Sequence, residues 1–250
     1  MLLQKGSKGT EVVRIQKMLN QVLSAKLKVD GIFGEATEQA VKNFQRQKGL
    51  KVDGIVGHQT SGVLEQEYKL TLSKLQKSLP QNTIISPMIK SAPKKVDADS
   101  FIKKSDVKYI VLHHSASSKP LTWEQIDAEH KRKGWAGFGY HFLIDPDGTI
   151  TAGRALNKET IIESNQIAEG AQAKGLNSQS IGICFNGNFE VDRPTSAQIE
   201  AGKQLVKWLK YKIFNKPQVL GHKDVVNIVP NATVTACPGK NFPLDDFKKI

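Results

Sequence analysis

Val12, Ile15, Leu19 and Leu23 recur at spacings of three and four, the pattern of a helix that buries one stripe. Thr10, just ahead of Glu11, offers a capping hydroxyl. The pattern returns in Ala40, Val41 and Phe44, behind Thr37, with Gly49 just past the expected end. Thr60 is expected to open a short third helix around Val63 and Leu64. Three helices within 1–67 predict a small bundle of modest stability, because so short a segment buries a limited core.

An internal repeat runs through this bundle. LKVDGIFGEAT at 27–37 and LKVDGIVGHQT at 50–60 agree at eight of eleven positions with an offset of 23. The Asp-Gly pair and the second Gly in each copy mark a tight turn, since glycine accepts positive φ. Ile32 with Phe33, and Ile55 with Val56, are expected to tuck apolar weight under the turns. The doubled turn reads as a structural device and not as a site.

The pattern changes twice more. Over 68–106 apolar residues scatter, eight lysines face three acids, and Pro80, Pro87 and Pro93 interrupt any long element. This stretch reads as a basic linker, extended and partly mobile, with a possible helix within 70–79. From 107 onward apolar runs alternate with amphipathic ones. VKYIVL (107–112), GYHFLI (139–144), Thr149-Ile150-Thr151, IGICF (181–185) and Gln218-Val219-Leu220-Gly221 read as strands. Leu121 to Lys133 and Thr195 to Phe214 read as helices. The predicted fold class is α/β: a mixed β-sheet flanked by helices over 107–250, preceded by the three-helix bundle.

Composition narrows the function classes. The chain has 250 residues, 39% hydrophobic and 24% charged, which suits a folded protein and excludes general disorder. No apolar run approaches the roughly 18–20 residues of a membrane span, so no stable membrane insertion is expected. The start, Met1-Leu2-Leu3-Gln4-Lys5-Gly6-Ser7, lacks an apolar leader core, so either a beginning in the cytosol or an export signal already removed is expected. The net charge of +12 suits a polyanionic partner. It divides as +3 over 1–67, +5 over 68–106 and +4 over 107–250. No basic stripe with stacking aromatics appears in 107–250, so no nucleic-acid binding is expected. The distribution favours a general attraction to an anionic envelope.

Candidate chemistry rests on few residues. His113 and His114 end one predicted strand, His222 follows another, and Cys237 lies in the loop Thr235-Ala236-Cys237-Pro238-Gly239. Two imidazoles and a thiolate can converge on Zn2+ and leave a fourth tetrahedral position for water. Strand-end histidines are also commonly polar residues with satisfied hydrogen bonds. Cys184 and Cys237 can equally form a disulfide, although Cys184 sits in an apolar run that suits a buried, inert thiol.

YIVLHHSASS at 109–118 resembles the first ligand strand of the zinc-dependent N-acetylmuramoyl-L-alanine amidases, the family of phage amidase-type lysozymes and animal peptidoglycan recognition proteins. The resemblance continues in order through Gly134-Trp135, Gly139-Tyr140-His141-Phe142, Asp147-Gly148-Thr149, Gly175-Leu176-Asn177, Ser180-Ile181-Gly182-Ile183, Gly221-His222 and Ala236-Cys237-Pro238-Gly239. It implies that His113, His222 and Cys237 hold Zn2+, with His114 turned to the opposite face. It implies that Tyr140 bonds the attacking water or the oxyanion, and that Thr235 donates to the oxyanion. His141 and Gln172 are candidates for substrate contact, with a supporting or packing role equally open for His141. Two departures stand out. Cys184 occupies a position where some relatives carry a glutamate base, and Gln172 one where the family often has histidine. Separately, VDGIFGEAT with AVKNFQRQKGL resembles three-helix peptidoglycan-binding modules.

The resemblance implies a monomeric, two-domain peptidoglycan hydrolase. Residues 1–67 would hold bacterial peptidoglycan, and 107–250 would cleave the amide between N-acetylmuramic acid and L-alanine. An endolysin is expected, held in the host cytoplasm before release to the cell wall. The alternatives are a bacterial autolysin or sporulation amidase, and a non-catalytic peptidoglycan receptor. Such receptors typically lack the zinc cysteine, and Cys237 speaks against that reading.

Overall fold

A computed structural model describes residues 2–78, 83–94, 96, 100–154 and 158–250. The chain forms two compact units, Met1–Thr83 and Ile84–Ile250.

The first unit contains α1 (Thr10–Leu23), α2 (Glu35–Gln47) and α3 (His58–Ser78). Val12, Ile15, Leu19, Val41, Phe44 and Leu64 are buried, as the spacing predicts. The repeat explains how so small a unit holds its shape. Gln16, buried on α1, donates from Nε2 to Asp30, the Ile32 carbonyl and Thr37. Its Oε1 accepts the Gly31 N–H. Gln45 on α2 does the same in the second copy, to Asp53, the Ile55 carbonyl and Thr60, and accepts from Gly54. Gly31 and Gly54 both sit at positive φ, 72° and 75°. Each turn is thus fastened by one amide from the preceding helix.

This arrangement corrects several expectations. Thr10 caps nothing; Gly9 is the N-cap of α1, with no side-chain bond. Thr37 and Thr60 lie inside their helices and serve the two glutamines, because a buried amide needs acceptors more than an exposed helix end does. Only Phe33 and Val56 go under the turns; Ile32 is exposed. Replacing Gln45 with alanine is expected to lower stability by about 3 kcal/mol, because it leaves the buried Gly54 N–H unpaired. Denaturant unfolding of the full chain checks this, and an unchanged midpoint for the first unit refutes it.

The third helix is long, at 21 residues. Val63–Ser78 contains neither Gly nor Pro and is rich in Leu, Glu, Gln and Lys, so intrinsic propensity carries the helix beyond its apolar stripe. The expected linker therefore divides differently. Its first part is helical. Its later part contains β1 (Ile89–Lys90) and β2 (Phe101–Lys103), with Ile89, Val96 and Ile102 buried in the second unit. Residues 79–82, 95 and 97–99 of that stretch lie outside the described residues.

The second unit continues with β3 (Tyr109–His114), α4 (Trp123–Arg132), β4 (Phe142–Ile144), β5 (Ile150–Ala152), α5 (Lys158–Glu163) and β6 (Gln166–Ala168). It ends with β7 (Ser180–Phe185), α6 (Ser196–Trp208), β8 (Gln218–Gly221) and α7 (Leu244–Lys248). The six-stranded sheet has the order β1-β5-β4-β7-β3-β8, and β2 pairs with β6 apart from it. Strands β4, β7, β3 and β8 run parallel; β5 is antiparallel to β4. The mixed sheet with flanking helices is as expected. Its core joins Ile110, Leu112, Phe142, Ile181, Ile183 and Phe185 to Leu205, Trp208 and Phe247 from the helices. Among the described residues no helix is long and apolar enough to cross a membrane.

Candidate metal centre

The sheet places the site. Parallel strands β3 and β8 are paired through Leu112 and Gly221, so the residues that follow, His113 and His222, emerge side by side. Their rings lie 4.6 Å apart. Such carboxyl ends of parallel strands are where open α/β sheets form sites. The Cys237 loop folds over them. The Lys223 N–H donates to the Cys237 carbonyl at 2.7 Å, and the Cys237 N–H donates to Thr235 Oγ1 at 3.1 Å.

One ligand atom each from His113, His222 and Cys237 lies within 4.8 Å of the others. Cys237 Sγ and His113 Nδ1 are 3.7 Å apart. Two tetrahedral ligands at about 2.3 Å (sulfur) and about 2.0 Å (nitrogen) from Zn2+ would be separated by about 3.5 Å. The donor types and the spacing of this pair therefore fit zinc, and with His222 as third donor one position is left over. His113 and Cys237 are buried, while His222 is partly exposed and opens the centre to solvent. Burial, then the neighbouring His222, holds His113 well below the usual imidazole range. Burial likewise lowers His222. Both rings are neutral and able to ligate at neutral pH. Burial pushes the Cys237 thiol up to about 12. Only a cation at the site would make it a thiolate there.

His114, next along β3, turns to the other face as expected and accepts the Phe189 N–H at Nδ1. Cys184 is the register partner of His113 on β7. Both cysteines are free thiols, so the disulfide alternative is not realised. No carboxylate stands at the Cys184 position.

Tyr140 is half-buried, with its ring 5.1 Å from that of His113, and packs against the cluster that contains Cys184. Burial, followed by the nearby thiols, pushes the phenol well above its usual range, so it keeps its proton. The stretch before it is held by α4. Asp127 accepts the Phe138 N–H and His130 Nδ1 accepts the Gly139 N–H. The His130 ring also packs edge-on to Tyr140 at 5.2 Å. These bonds are why regular strand begins only at Phe142. Sequence reasoning missed His130; its place beside Ile126 and Asp127 on the inner face of α4 was the available signal.

Thr235 stands two residues before Cys237, and its oxygen already accepts the Cys237 N–H. Its O–H can still donate. Two candidates for substrate contact are placed elsewhere. His141 is fully buried, with Nε2 toward the Ala168 carbonyl and Nδ1 accepting the Gly182 N–H. It fastens loop to strand. Gln172 is buried beneath His113, with Oε1 against His113 Nε2 and Nε2 donating to Ser180 Oγ at 2.7 Å. Burial rules out direct substrate contact for both: His141 takes the packing role that its sequence left open, and Gln172 is turned inward by the sheet.

Residues 103–240 match the family model described as N-acetylmuramoyl-L-alanine amidase, and residues 8–64 match that of a peptidoglycan binding domain. An endolysin of Klebsiella phage KP32 is 33% identical over 132 residues, covering 50% of this chain and 80% of that protein. Peptidoglycan-recognition protein SC2 of Drosophila simulans is 34% identical over 163 residues, covering 61% and 77%. Among solved structures, the endolysin N-acetylmuramoyl-L-alanine amidase LysCS from Clostridium intestinale aligns with a TM-score of 0.54 at 33% identity, covering 67% of this chain and 97% of that one.

Proposed function

The chain belongs to the N-acetylmuramoyl-L-alanine amidase family, and from that premise we propose that it is an endolysin-like, zinc-dependent peptidoglycan hydrolase. It cleaves the amide joining the lactyl group of N-acetylmuramic acid to L-alanine of the stem peptide. The observation that carries the reading is the convergence of His113, His222 and Cys237, whose ligand atoms all lie within 4.8 Å of one another. Some relatives are recognition proteins, and the complete donor set favours catalysis here.

Bound there, Zn2+ would lower the pKa of a water to about 7 and polarise the scissile carbonyl. The remaining chemistry belongs to side chains. Tyr140 keeps its phenolic proton and donates it as a hydrogen bond to oxygen that gains negative charge. Thr235 holds the Cys237 backbone and presents a second hydroxyl. With a thiol at 184, no carboxylate base acts from β7. The first unit supplies wall binding, which raises the local concentration of bonds to be cut. The basic balance of +12 adds a salt-screened attraction to the anionic envelope. Before release the protein resides in the host cytoplasm.

Mass analysis of products from purified peptidoglycan tests the reading. Stem peptides with a free N-terminal alanine, and no new reducing sugar ends, are expected. New reducing ends, or no products, would refute it. Chelation should abolish product release and added zinc should restore it; full activity in metal-free protein would remove the metal from the mechanism.

A further inference from the structure

We propose that Gln172 is a positioning residue that locks His113 in the one tautomer able to ligate through Nδ1. The inference rests on the zinc reading above and adds to it the part that aims the first ligand.

His113 is buried, and its two ring nitrogens face different partners. Nδ1 lies toward Cys237 Sγ at 3.7 Å and Nε2 lies against Gln172 Oε1. A metal on Nδ1 requires the ring proton on Nε2, where it needs an acceptor. The Gln172 oxygen is that acceptor. The amide could supply its NH2 instead, which would force the proton onto Nδ1 and block ligation. Ser180 Oγ, fully buried, sits 2.7 Å from Gln172 Nε2 and engages the NH2 end, leaving Oε1 for His113.

The surrounding chain is shaped for this amide. Asn177 Oδ1 accepts the backbone N–H of both Gln172 and Ala173, fixing the loop. Gly182 on β7 leaves the necessary space: a Cβ there would stand 2.6 Å from Gln172 Cγ. Glutamine does not titrate, so this acceptor is constant with pH. Gln172 itself is nearly inaccessible and does not reach substrate. Partners of this kind typically change metal affinity by about 10- to 100-fold.

The test is zinc affinity of the full chain, measured by competition with a chromophoric chelator. Gln172→Leu is expected to weaken zinc binding by about 10- to 100-fold, and Gln172→Glu, which keeps an acceptor oxygen, to restore most of it. Wild-type affinity in Gln172→Leu overturns the positioning role alone. A wild-type chain that takes up no zinc overturns the metal reading with it. If Gln172→Leu fails to fold, nitrogen-15 NMR of the zinc-loaded wild type decides: a proton on His113 Nε2 supports the proposal, and a proton on Nδ1 overturns it.

Discussion

Cys237→Ser is expected to lose stoichiometric zinc and to lower amidase turnover by at least about 1,000-fold, equivalent to about 4 kcal/mol of transition-state stabilisation. A serine hydroxyl does not ionise in this pocket, so the site would lose its only anionic donor. The backbone there is held independently of the sulfur, by Lys223 and Thr235. The variant should therefore fold, and wall binding through the first unit should persist. Metal content and product release measured on the same preparation check this. Retained zinc together with retained turnover would remove Cys237 from the centre.

Tyr140→Phe separates catalysis from metal binding. Its ring is held by contacts with His130, Phe138 and His113, which phenylalanine reproduces. The hydroxyl alone is lost. Turnover should fall by about 100- to 1,000-fold, the usual cost of one oxyanion donor, while zinc content stays at the wild-type level. Unchanged turnover would make Tyr140 a packing residue. Thr235→Ala should behave differently, because Thr235 also accepts the Cys237 N–H. Its loss should loosen the ligand loop, so zinc affinity and turnover should fall together.

Much of the centre was legible because its parts lie in short motifs. His113 closes a β-branched run, His222 follows Gly221, and Cys237 lies in a Pro/Gly loop. For Gln172 and His141 the sequence could not separate substrate contact from burial, because the same polar residue reads alike whether it faces a ligand or the interior. Burial decides between these, and burial comes from the sheet. The continuity of α3, read as a short helix and a possible second one, escaped for the opposite reason: its periodicity fades while its propensity does not.

The sequence by itself determined the repeated Asp-Gly turns, strands β3, β4, β5, β7 and β8 with helices α4 and α6, and the residue types of the candidate metal centre. These depend on interactions within a few residues, which spacing and composition record. Tertiary structure decided what meets what. Cys237 and His113 are 124 residues apart, and only the parallel register of β3 with β8 and the fold-back of the Cys237 loop bring the donors together. The same packing turned Gln172 under His113 and Gln16 and Gln45 under their turns. It also drew Ile89 and Ile102 into the second unit's core. Buried amides and apolar residues take partners wherever packing provides them, and no local pattern specifies which ones.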